Sequence, residues 1–122
     1  MKGSDDINER RNHPRVYMDL PLEYRVSDAP HLHGALVVNV SESGLQIHSI
    51  KNIPVGSTLN IAVLFPKGFE LANFEGLAEI VWKDMYWQEN REDYQFGLKF
   101  VRMLEEDRKK LKQLLGDGHK IE

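Results

Sequence analysis

The chain has 122 residues, 41% hydrophobic and 29% charged, which suits one globular domain and leaves too little for two comfortable cores. Its net charge of −3 excludes a surface built to bind polyanions at large, and the absence of cysteine excludes disulfides and thiolate chemistry. No apolar run approaches the ~20 residues of a membrane span, and Met1 to Glu9 lacks the apolar centre of a signal peptide, so the expected location is the cytoplasm, without membrane insertion.

Residues 1–9 are polar and acidic and are expected to form a flexible tail ahead of one domain covering 10–116, with 117–122 a flexible end. From Val16 the apolar period is two, the signature of strands. Leu20, Leu22, Tyr24 and Val26 alternate with Pro21, Glu23 and Arg25 up to a Ser-Asp-Ala-Pro turn. Leu36, Val38 and Val40 then alternate with Val37 and Asn39, and after Ser-Glu-Ser-Gly come Leu45 and Ile47. Leu59, Ile61, Val63 and Phe65 form the clearest alternation, which ends at Pro66-Lys67-Gly68. Phe74, Gly76, Ala78, Ile80 and Trp82 continue the period in a long strand whose glycine marks a bend or bulge. Residues 88–93, Gln-Glu-Asn-Arg-Glu-Asp, read as a polar hairpin loop before a last strand with Tyr94, Phe96, Leu98 and Phe100.

Only the final segment changes period. Leu104, Leu111, Leu114 and Leu115 share a helical face, acidic residues come first and lysines last, and Gly116 is placed to cap a helix over 103–115. About six strands joined by hairpin-length connections, followed by one helix, predict a mostly β fold: a small antiparallel barrel with a C-terminal α-helix.

Two polar stretches carry candidate chemistry. Arg10, Arg11 and Arg15 sit around a His-Pro step with no hydrophobic pattern of its own. A guanidinium presents a rigid fork of donors suited to phosphate oxygens or to a guanine edge. Asn39, Ser41 and Gly44 offer an amide, a hydroxyl and a backbone free to turn tightly or approach a ligand closely. Taken singly, a solvated basic run and an ordinary hairpin turn account for them more simply.

As an ordered pair they say more. Arg11-x-x-x-Arg15 followed by Asn39-x-Ser41-x-x-Gly44, within a small barrel ending in a helix, resembles the PilZ domain family from about Glu9 to Leu115. The late Phe-Gly-Leu-Lys-Phe, residues 96–100, is similar to that family's last strand. The resemblance implies a bacterial receptor for the second messenger cyclic di-GMP. Arg11 and Arg15 would clasp phosphates and guanine edges, with Arg10 a third candidate. Asn39 and Ser41 would bond a guanine, and Gly44 would shape the turn beside it. Trp82 stands where some members stack an aromatic on guanine, although its alternation with Ala78 and Ile80 suits a core role equally. An unidentified protein partner and a part in motility, biofilm or exopolysaccharide control are further implications. The terminal helix is a candidate surface for a homodimer.

The remaining residues point to no enzyme. His31 and His33 would share a strand face but have no third metal ligand in sight and read as surface histidines. No nucleophile triad, phosphate-binding glycine loop or carboxylate pair has a supporting context, and no metal or cofactor is expected. Two rival readings stay open: a PilZ-like adaptor that works by protein contacts alone, and a small barrel binding single-stranded nucleic acid. The net charge of −3 disfavours the second.

Overall fold

A computed structural model describes residues 15–120, with side chains described as far as residue 116. Six strands are present: β1 (Val16–Val26), β2 (His33–Val40), β3 (Gly44–Ser49), β4 (Thr58–Lys67), β5 (Glu70–Gln88) and β6 (Arg91–Arg102). One helix, α1 (Glu105–Lys120), follows them. All pairings are antiparallel, and the order β1-β2-β3-β6-β5-β4 closes because β4 also pairs with β1. Closure removes the free edges that an open sheet of this size would present.

The core is what period two demands. Leu22, Tyr24, Val37, Val40, Leu45, Ile47, Leu59, Val63, Phe74, Ile80 and Phe96 point inward and are almost wholly excluded from water. Each such aliphatic or aromatic side chain contributes roughly 1.5–3 kcal/mol on burial, which is why the alternation is so legible. In β2, however, Val37 enters the core while Leu36 is exposed, so the expected inward series Leu36, Val38, Val40 does not hold. The reason is a bulge: Val37 pairs with Ile47 but Asn39 pairs with Gln46, two residues of β2 opposing one step of β3.

The turns are tighter than the sequence suggests. β5 and β6 meet at Glu89-Asn90, both with positive φ (52° and 70°), the geometry of a two-residue hairpin turn. Most of residues 88–93 is therefore strand, and only two of those residues make the loop. Gly68 has φ 65° at the β4–β5 turn. The bulge expected near Gly76 lies one residue on, where Leu77 pairs with Arg102 and Ala78 with Phe100.

Helix α1 opens after Leu104, whose carbonyl accepts from the Arg108 N–H. Leu104 itself is exposed, whereas Leu111, Leu114 and Leu115 are buried against the barrel. The helix's apolar face is thus spent within the chain, and the candidate dimer surface is reduced to its polar side. Asp107 ties the first turn to β5 by accepting from the Glu75 N–H at 3.0 Å. The helix runs past Gly116 to Lys120 instead of stopping there. Glycine costs a helix about 1 kcal/mol, and the helix carries two, Gly116 and Gly118, in its last turns.

Candidate functional site

A single row of paired residues crosses five strands: Tyr17 on β1, Asn39 on β2, Gln46 on β3, Gly97 on β6 and Trp82 on β5. Gln46 lies between the buried Leu45 and Ile47, and Gly97 between the buried Phe96 and Leu98, so the row faces outward. Two bulges bring Asn39 and Trp82 onto it. Strict alternation would carry Val37 and Asn39 to one face, and Ile80 and Trp82 likewise. In each case the partner strand advances one residue while the bulged strand advances two.

Trp82 is accordingly not a core residue. It is 37% exposed, while Ile80 is fully buried. Its indole lies across Gly97: a Cβ built there would come within 2.0 Å of Nε1. The ring occupies the space that a side chain at 97 would fill, so a larger residue there would have to displace the indole.

At the other end of the row, Arg15 donates from Nη1 to Asn39 Oδ1 at 2.7 Å. Asn39 Nδ2 donates in turn to Gln46 Oε1 at 2.9 Å. Asn39 is only 2% exposed and Ser41 only 1%, so neither presents itself openly to solvent. The Ser41 hydroxyl stays within its own turn, near Ser43 Oγ (3.2 Å) and the Gly44 carbonyl (3.3 Å). Ser41 N–H donates to the same carbonyl at 2.8 Å. Gly44 is needed for a reason other than a left-handed turn. A Cβ there would fall 2.1 Å from the Leu98 carbonyl oxygen, so only glycine lets β3 and β6 close up beside the turn.

One step along the same face, Asp93 is fully buried and accepts from Arg91 Nε at 2.9 Å, with His48 Nε2 at 3.2 Å. Tyr86 stacks on His48 with ring centroids 6.0 Å apart. Burial, and secondarily the Asp93 charge, raise the pKa of the Tyr86 hydroxyl above its ordinary value.

The structure therefore gathers Arg15, Asn39, Ser41, Gly44 and Trp82 around one outward face. Arg10 and Arg11 lie outside the described residues. Sequence reasoning missed Gln46 and Gly97. Gln46 was visible as the polar residue between two core positions immediately after Gly44, and Gly97 as a glycine inside a strand, a sign of close approach. His33 packs against Tyr24 with centroids 5.3 Å apart, and His31 is exposed. Among the described residues no three His, Asp or Glu side chains come together as a metal site. No described helix is long and apolar enough to cross a membrane.

The PilZ domain family model matches residues 9–117, nearly the whole chain. The chain belongs to the PilZ domain family. Solved structures with the same fold include the inhibitor of motility MotI/DgrA of Bacillus subtilis, at 16% identity and TM-score 0.70, covering 86% of this chain and 48% of that one. The PilZ domain of YcgR from Escherichia coli, solved with c-di-GMP, matches at 12% identity and TM-score 0.68, covering 91% and 92%. Borreliella burgdorferi PlzA in complex with c-di-GMP matches at 14% identity and TM-score 0.61, covering 99% and 59%. This PilZ chain thus spans about half of the first relative and nearly all of the second. At these identities the likeness establishes the fold alone. No curated protein sequence matches it.

Proposed function

We propose that this PilZ domain is a cyclic di-GMP receptor, not an enzyme, and that it passes the second-messenger level to a protein partner. One observation carries the reading: the Arg15–Asn39 hydrogen bond at 2.7 Å, which joins the two halves of the motif across 24 residues of sequence. Ligand would enter along the outward row, one guanine over Gly97 against the Trp82 indole and its polar edge toward Asn39. Arg10, Arg11 and Arg15 would close over the phosphates. Because Arg15 already occupies Asn39 Oδ1, Arg15 has to move for that oxygen to reach a base. That movement is the proposed signal.

The magnitudes agree. A micromolar ligand needs about 8 kcal/mol. Charge-assisted hydrogen bonds supply roughly 1.5–3 kcal/mol each and stacking on an aromatic ~1–3 kcal/mol, against about 2–5 kcal/mol for ordering a segment. The exposed Met85 and Trp87 near the β5–β6 hairpin give a partner an apolar surface to read. Motility, biofilm or exopolysaccharide control and a cytoplasmic location belong to the same proposal.

Isothermal titration with cyclic di-GMP tests it. Binding that Arg11→Ala and Arg15→Ala each weaken about tenfold or more, with an unchanged thermal midpoint, is expected. No heat at ligand concentrations on the order of tens of micromolar sinks the reading.

A further inference from the structure

Resting on that receptor reading, we infer that Gln46 is a positioning residue that sets base specificity by locking the Asn39 side-chain amide with its oxygen toward the ligand. An asparagine amide has two faces of opposite polarity, and a half-turn about its last torsion exchanges acceptor for donor. Here both ends are engaged. Gln46 Oε1 takes the Asn39 Nδ2 proton at 2.9 Å, and Oδ1 is left to accept, at present from Arg15 Nη1 at 2.7 Å. Arginine has donors only, so Arg15 calls for the Asn39 oxygen, and Gln46 Oε1 holds the Nδ2 end that is left.

The chemistry of the guest follows. The Watson–Crick edge of guanine carries N1–H beside N2–H₂, the same pair of donors on one carbon that a guanidinium offers. Arg15 therefore holds, in the free state, the seat that a guanine edge takes in the bound one. An outward-facing Oδ1 accepts from either without any change in the Asn39–Gln46 half of the relay. Adenine presents a bare acceptor nitrogen at the corresponding position, which meets Oδ1 with repulsion between lone pairs. A wrongly turned Asn39 would reverse this preference. An aspartate at 39 would not need the lock, since both carboxylate oxygens accept; asparagine does.

The row geometry puts Gln46 in the right place for this. It pairs with Asn39 on one side and with Gly97, under the Trp82 ring, on the other. It is half-buried on a strand whose neighbouring residues Leu45 and Ile47 are core, so its backbone cannot drift.

The test is a double-mutant cycle on the whole chain, titrated with cyclic di-GMP and with cyclic di-AMP. Gln46→Leu is expected to lower affinity for cyclic di-GMP about tenfold and to narrow the discrimination against cyclic di-AMP by a similar factor. In an Asn39→Asp background the same substitution is expected to change neither quantity, because the carboxylate has no wrong orientation. A merely structural role for Gln46 would weaken both backgrounds and both ligands alike, and that result overturns the inference. So does an unchanged ratio in the Asn39 background. Gln46→Thr, too short to reach Nδ2, replaces the leucine variant if that one melts early, and carries the same expectations. Wild-type protein that binds cyclic di-GMP while the cycle shows no coupling refutes the role of Gln46 alone. Wild-type protein that binds neither nucleotide refutes the receptor reading, and this inference with it.

Discussion

The Trp82 indole occupies the space where residue 97 would carry its Cβ, within 2.0 Å of the ring nitrogen. The obstacle is the far end of a side chain that is 37% exposed, so it can swing aside. Gly97→Ala is therefore expected to fold normally and to push the indole into water. With Trp87→Phe, Trp82 is the remaining tryptophan of the two in the chain, and its emission should move to longer wavelength in the alanine variant. On the proposed receptor reading, cyclic di-GMP affinity should fall about fivefold through lost stacking. Unchanged emission would contradict the placement of the ring.

Gly44 meets a different obstacle. The atom 2.1 Å from its built Cβ is the Leu98 carbonyl oxygen, which belongs to the backbone of a central strand and cannot step aside cheaply. Gly44→Ala should destabilise the barrel by about 3 kcal/mol, lowering the thermal midpoint by more than 10 °C on the usual scale of ~4–8 °C per kcal/mol. Gly34→Ala is the control, since nothing lies within 4 Å of its built Cβ. Its midpoint should shift little. Equal effects at both positions would refute the close approach of β3 and β6.

Asp93 is the buried carboxylate on the outward face, bonded to Arg91 and His48 at 2.9 and 3.2 Å. Asp93→Ala removes both acceptors and should cost about 2 kcal/mol in denaturant unfolding. His48→Ala leaves the Arg91 bond intact and should cost less than half as much. The reverse order would show that the histidine organises the cluster.

Tyr94 donates its hydroxyl to Glu92, and this bond, followed by burial and then by the Glu92 charge, raises its pKa above the ordinary 10.0. A raised pKa means that the folded state favours the protonated phenol. The stabilisation is complete below the unfolded value of 10.0 and is lost as pH rises through the higher folded value. Between about pH 9 and pH 11 the unfolding midpoint of the wild type should therefore fall more steeply than that of Tyr94→Phe. Parallel curves would argue against the bond.

Much of this protein is legible from its residues alone. Hydrophobic burial rewards one face of each strand, so Leu59-Ile61-Val63-Phe65 and Tyr94-Phe96-Leu98 declare their elements, and hairpin-length gaps between such runs imply an antiparallel barrel. The helix declares itself by its change of period, and the motif pair points to Arg15, Asn39, Ser41 and Gly44. What period two cannot register is a bulge, because a bulge is defined by which residues oppose each other on strands far apart in sequence. Counting by twos places Trp82 with Ile80 in the core and hides the link from Asn39 to Gln46. The pairing of β2 with β3 and of β5 with β6 turns Asn39 and Trp82 to the surface and sets Gln46 and Gly97 between them. Local alternation determined which segments are strands. Only the closed barrel decided which side chains share a face, because that depends on register between strands and not on order along any one of them.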